Sequence, residues 1–144
     1  MSLLLKTRPI ALPGTGKQFH VSVAKTKSTK NLGDTDLDSD VFVWVTDAGA
    51  IPGHLELKAR LLAVENTAMP QKRDPAKTIQ GYRLQLQAIR TVTRDLRTDD
   101  LLAFREDSKN SPMYELERLH ADRHEKVMRI AAWTARALDE RFAL

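Results

Sequence analysis

Residues 18–24 (Gln-Phe-His-Val-Ser-Val-Ala) set Phe19, Val21 and Val23 at every second position between polar or small neighbours. That period of two predicts a half-buried strand. Residues 41–45 (Val-Phe-Val-Trp-Val) are apolar on both faces and β-branched at alternate positions, so they predict a central strand covered on both sides. Turn residues follow at 47–53, and residues 54–65 then alternate Leu55, Leu57, Ala59, Leu61 and Ala63 against His54, Glu56, Lys58 and Arg60. The two segments predict a hairpin with one wet face. Residues 66–80 contain Pro70 and Pro75 and no period, which reads as a long loop. Residues 82–90 resume the alternation, with Tyr82, Leu84, Leu86 and Ala88 against Arg83, Gln85 and Gln87, as in a half-exposed antiparallel strand.

Helical signals come later in the chain. Residues 93–104 predict a short helix, residues 105–112 a polar loop, and residues 113–117 suit a last strand. Asp122 and Glu125 have capping-box spacing, and Val127, Ile130, Ala131, Thr134, Leu138 and Phe142 recur every three to four residues, which predicts a long helix over 122–141. Consecutive half-buried strands joined by short turns predict an α+β domain. Its antiparallel or mixed sheet would curl into a small barrel, with the short helix and the long C-terminal helix packed on it. The length of 144 residues suits one domain, placed at residues 18–144, with residues 1–17 as a basic N-terminal arm or an extra strand.

Charge adds an asymmetry. Residues 1–30 hold Lys6, Arg8, Lys17, Lys25, Lys27 and Lys30 and no acid, so they carry +6 while the rest of the chain sums to −2. An anionic partner is expected to meet this segment. The absence of cysteine excludes disulfides, thiolate metal sites, cysteine nucleophiles and iron–sulfur clusters, and fits a cytoplasmic protein. No apolar run approaches the ~18 residues of a membrane span, so no membrane association is expected.

Four motifs carry candidate chemistry. Pro13-Gly14-Thr15-Gly16-Lys17-Gln18 resembles the end of a phosphate-binding P-loop, but Ala11 stands where the leading glycine belongs, Gln18 where a Ser or Thr would hold magnesium, and a strand pattern follows. The alternating acids Asp34, Asp36, Asp38 and Asp40 mimic a calcium loop, yet Ser39 and Val45 occupy the positions of its glycine and closing glutamate, leaving a polar loop. His120 and His124 share helical spacing with no third ligand indicated, so no metal site is assigned. Asp40, Glu56 and Lys58 match the spacing of magnesium nucleases of the PD-(D/E)XK type, in which two carboxylates hold the metal and the lysine stabilises charge at the phosphate. Alternating Glu and Lys on a wet strand face explains the same residues.

A fifth constellation is aromatic and basic: Trp44 in the central strand, Tyr82, Phe104 and Tyr114 near element ends, and the Lys25-Thr26-Lys27-Ser28 turn after the first alternating strand. Base recognition outside a duplex uses such stacking faces together with lysines for phosphates. Trp44 and Phe42 also suit a core, and at least one of them must lie in it.

The order of segments resembles an EVE domain of the PUA-like superfamily, related to YTH-type readers of modified bases. The resemblance rests on Phe19 to Ala24 with the Lys25-Thr26-Lys27-Ser28 turn, on Ser39-Asp40-Val41-Phe42-Val43-Trp44, and on Gly53-His54-Leu55-Glu56-Leu57-Lys58-Ala59-Arg60. It continues through Tyr82 to Ile89, the segment from Val92 to Leu102, and the stretch from Asp122 to Leu138. Only about fifteen residues separate the first alternating strand from Val41, so the helix that usually carries an Arg-Asn-rich pocket wall is missing or minimal. The resemblance implies a non-enzymatic module, without cofactor, that takes one modified or flipped-out base of DNA or RNA into the mouth of a small barrel. It would act alone or as the specificity domain of a bacterial restriction or defence system with a partner or fused effector nuclease. By position, Lys25, Thr26, Lys27 and Ser28 would line the mouth, Trp44 would stack the base, and Arg105, Ser108 and Asn110 would close the rim. The alternative is a magnesium nuclease built on Asp40, Glu56 and Lys58.

Overall fold

A computed structural model of the chain describes residues 2–7, 13–25, 31–46, 53–71, 74–97, 126–130 and 132–139. Their elements in chain order are β1 (Ser2–Thr7), β2 (Gln18–Ala24), a 3-10 turn (Asp34–Asp36), β3 (Asp40–Thr46), β4 (Gly53–Pro70), β5 (Thr78–Arg97), β6 (Lys126–Ile130) and an α-helix, α1 (Ala132–Asp139). The six strands form one mixed sheet in the order β2-β5-β4-β3-β1-β6. Only the β1–β3 pair is parallel, running from Ser2 opposite Asp40 to Thr7 opposite Val45. The molecule is thus a mostly-strand domain. The expected barrel is corrected, because among the described residues β2 and β6 remain the two edges and no ladder joins them.

Burial explains which strands hold the centre. In β1 and β3, Leu3, Leu4, Leu5, Val41, Phe42, Val43 and Trp44 are all at most 1% exposed. Fully burying a side chain of this size contributes roughly 1.5–3 kcal/mol, and these two strands collect that on both faces. Leu3, Leu5, Val41 and Val43 point into a large cluster with Val23, Leu57, Tyr82 and Leu84, while Leu4, Phe42 and Trp44 point the other way, into a second cluster closed by Ala135 and Leu138 of α1. Residues 2–7 are therefore an interior strand, not a basic arm, and Lys6 is buried with them.

Three further expectations are corrected. The stretch 66–80 is not a long loop: β4 runs on to Pro70, β5 starts at Thr78, and Asn66–Tyr82 through Pro70–Thr78 continue the ladder. Gly81, at this junction, leaves no room for a Cβ, which would lie 2.7 Å from the Val23 carbonyl oxygen. Residues 93–97 are strand rather than helix, since β5 extends to Arg97, and the remainder of the expected 93–104 helix lies outside the described residues. The long C-terminal helix is replaced by β6 and the eight-residue α1. Val127, Met128 and Ile130 fit a helical period, but they also alternate: Val127 faces the large cluster, and Met128 and Ile130 the second. Pairing with β1, at Leu5–Val127 and Leu4–Met128, satisfies the backbone along that strand's otherwise open side and overrides the helical pattern. The candidate strand at 113–117 and the Asp122–Glu125 cap lie outside the described residues.

A bulge changes one face assignment. Trp44 pairs with Leu55 and Val43 with Leu57, so Glu56 is an extra residue in β4. An inserted residue turns the chain over, and Leu55 joins Trp44 in the second cluster while Leu57 joins the first.

Candidate nucleic-acid interface

The sheet brings the end of β2, the start of β5 and the segment before the 3-10 turn to one place. The Lys25 amide donates to the Gln80 carbonyl at 3.2 Å, and the Lys25 ammonium stands 4.8 Å from the centre of the Tyr82 ring. Tyr82 itself is 1% exposed, and its phenol oxygen accepts the Leu32 amide at 3.2 Å. Its ring thus props Lys25 from below while its hydroxyl fixes the chain at 32. Such a cation–π contact contributes about 0.5–1 kcal/mol at an exposed site. Thr26, Lys27 and Ser28 continue from Lys25 outside the described residues, as do Arg105, Ser108, Asn110, Phe104, Tyr114, His120 and His124.

Trp44 is not beside Lys25. Its side chain is fully buried on the other face of the sheet, with Leu4, Phe42, Leu55, Met128 and the α1 residues Ala135 and Leu138. The structure therefore places Trp44 and Phe42 both in the core, and the Lys25–Tyr82 pair across the sheet from them. In this arrangement the indole offers no open face to a base.

Asp40 and Lys58 do come together, at 3.6 Å between Oδ2 and Nζ. The same ammonium is held more closely by Asp139 Oδ1 at the end of α1, at 2.7 Å, and lies 5.7 Å from the Phe42 ring centre. Glu56 occupies the β4 bulge. Among the described residues no group of three or more His, Asp or Glu side chains is arranged to hold a metal ion. The geometry of Lys58 is that of a bracket fastening α1 to the sheet.

The two decoy motifs resolve into structure. Gly16, with φ of 86°, turns the chain into β2, its amide donating to the Ala88 carbonyl at 2.7 Å, so the P-loop-like residues extend a strand ladder. In the acidic run, Asp36 is 2% exposed and binds Arg129 of β6 through Nε at 3.3 Å and Nη2 at 3.1 Å, while its Oδ2 also accepts the Gly33 amide at 3.1 Å. It ties the 3-10 turn to the β6 edge.

One set of residues was visible in the sequence but not singled out. On the face shared with Trp44, the β2–β5–β4 half of the sheet carries His20, Arg60, Arg83, Gln85, Gln87 and Arg90, and it is open to solvent. His20, Ala63, Glu65, Arg83 and Gln85 line a shallow polar depression of ≈150 Å³ there. The signal was the alternation of Arg83, Gln85 and Gln87 against Leu84 and Leu86, which reads equally well as ordinary solvation of a wet face.

The architecture has a counterpart among solved structures. The DUF55 domain of human thymocyte nuclear protein 1 superposes with a TM-score of 0.63 over 100% of this chain and 99% of that one, at 10% sequence identity. The fold resembles that of a DUF55, or EVE, domain. No protein-family model and no curated protein sequence matches the chain. The EVE-like fold agrees with the pattern of segments in the sequence. No helix among the described residues is long and apolar enough to cross a membrane.

Proposed function

We propose that this chain is a nucleic-acid-binding module that takes a modified or flipped-out base of DNA or RNA without catalysing a reaction on it. The reading rests on the EVE-like architecture, which is similar end to end to the DUF55 domain despite 10% identity. Lys25, fixed over Tyr82, begins the turn in which Thr26, Lys27 and Ser28 form one wall of the mouth. Arg105, Ser108 and Asn110 form the opposite rim. The base is held by the turn and the rim, with Trp44 sealed beneath α1. The chain serves on its own or as the specificity domain of a restriction or defence system that supplies a separate nuclease.

The test is fluorescence anisotropy with labelled single- and double-stranded oligonucleotides, with and without modified bases, in magnesium and in chelator at two salt concentrations. Expected is metal-independent, salt-sensitive binding that favours a modified base, with Lys27→Ala lowering the salt slope by about 0.7–0.9 per lost phosphate contact. Absence of binding to every oligonucleotide would sink the reading. Shortening of the probe only in magnesium, lost in Glu56→Ala, would transfer the site to Asp40, Glu56 and Lys58, which the 3.6 Å approach of Lys58 to Asp40 makes the arrangement to test.

A further inference from the structure

The open half of the sheet carries three exposed arginines in its described strands. Arg60 pairs across the ladder with Gln87 on one side and Asp40 on the other, Arg83 with Ser22 and Glu65, and Arg90 with Lys58. Side chains opposite one another in a ladder project from the same face, and Lys58 projects over Phe42. Arg60, Arg83 and Arg90 therefore share the face that α1 covers only over its other half. All three are exposed, and among the described residues no ion pair or hydrogen bond engages their side chains. Among the described residues, Asp40 stands opposite Arg60 and Glu65 opposite Arg83, yet neither closes an ion pair with them; Asp40 instead lies 3.6 Å from Lys58, which also holds Asp139.

The planar donor fork of arginine fits phosphate oxygens, and the three arginines are interspersed with glutamines along β5 and across to β4. The Gln85 amide donates to Gln18 at 2.6 Å and the Gln87 amide to the Gly16 carbonyl at 3.3 Å. From Arg83 to Arg90 the strand covers roughly 20 Å at ~3.3 Å per residue, long enough to meet several phosphates of one strand. Among the described residues the open half of the face exposes no aromatic platform, which suits a backbone and not a base.

We infer that Arg60, Arg83 and Arg90 form a track for the phosphodiester backbone of a single-stranded nucleic acid, holding the strand that presents its base to the mouth. This rests on the proposed function, and the experiment separates the two. Equilibrium binding of a labelled mixed-sequence single-stranded oligonucleotide is measured against salt for the wild type, for the triple variant Arg60→Gln, Arg83→Gln, Arg90→Gln, and for the triple variant with lysine at the same positions. Circular dichroism confirms an unchanged thermal midpoint for each. The glutamine variant is expected to lose about 2 from the slope of log K against log salt, at ~0.7 per phosphate contact, and the lysine variant to keep the wild-type slope. Wild-type binding with the same slope and affinity in the glutamine variant overturns the track and leaves the base-reading proposal standing. No wild-type binding at all overturns both. Equal binding of a polyglutamate chain, lost to the same extent in the glutamine variant, overturns the assignment to nucleic acid.

Discussion

The same face of the same sheet is used in two ways. Over β6, β1 and β3 it is apolar, with Leu4, Phe42, Trp44 and Met128 sealed by Ala135 and Leu138 of α1. Over β4, β5 and β2 it is polar and open, with Arg60, Arg83, Arg90 and His20 in solvent. The other face is mainly apolar, from Leu3 and Val43 at the centre to Leu84 and Val23 at the β2 edge, with the Arg129–Asp36 pair at its β6 edge. The backbone is continuous across the boundary, so the difference lies in the side chains. Strands apolar on both sides need a cover and acquire one, whereas strictly alternating strands keep one face free. The open half is where a ligand can be met without dismantling the core.

The largest test of that division is Trp44→Ala. Truncating a fully buried tryptophan removes its transfer energy and leaves a cavity, at a cost of about 3–5 kcal/mol. Denaturant unfolding followed by far-UV circular dichroism should show the midpoint falling accordingly, with oligonucleotide affinity of the folded fraction unchanged. A variant that unfolds at the wild-type midpoint yet loses binding would place Trp44 in the ligand site and erase the boundary. A smaller effect is expected at the covered edge, from Arg129→Leu. It leaves the Asp36 carboxylate, 2% exposed, with the Gly33 amide but without its guanidinium. Stranding a buried charge costs about 3–5 kcal/mol, and the partial exposure of Arg129, at 29%, puts the expectation at or below the lower end, about 2–3 kcal/mol. Paired with Asp36→Asn in a double-mutant cycle, the two losses should be strongly non-additive; additive losses would mean that the pair does not hold the 3-10 turn to β6.

The pattern of hydrophobic residues made the division half legible. Residues 41–45 announced a strand covered on both sides, and the alternation at 18–24 and 82–88 announced one free face, because those patterns follow directly from burial. It was silent where geometry, not burial, decides. The bulge at Glu56 leaves no mark in the alternation, yet it moves Leu55 from one cluster to the other. Leu3, Leu4 and Leu5 are too short a run to separate an arm from an interior strand. Val127 and Ile130 suit a helix and a strand equally, and pairing with β1 chose the strand. The arms at 66–70 and 78–81 are largely exposed and are held by ladder hydrogen bonds, which a hydropathy pattern does not report. For the site, Lys25 was legible from the Lys-Thr turn, and its support by Tyr82 required the fold. The arginines of the open face were passed over, since arginine alternating with leucine is what any wet strand shows, and only the register reveals that three of them share one uncovered surface.

The finest test falls on the boundary itself, at Lys58. Its side chain is 14% exposed, and its ammonium joins Asp139 of α1 at 2.7 Å and Asp40 of β3 at 3.6 Å. Methionine keeps most of the stem that packs near Phe42 and deletes the charge. Asp139 and Asp40 are 48% and 42% exposed, so both carboxylates regain water when the ammonium is gone. Ion pairs of this kind contribute about 0.2–1 kcal/mol, and Lys58→Met should therefore lower stability by no more than ~1 kcal/mol. Its local signature is more specific: amide exchange should quicken across 132–139, where the bracket is lost, and stay unchanged in β3. A loss of several kcal/mol would mean that the covered half depends on this bracket as much as on Trp44. Unchanged stability together with a salt slope reduced by about 0.7 would instead assign Lys58 to the open half, as a fourth cation of its track.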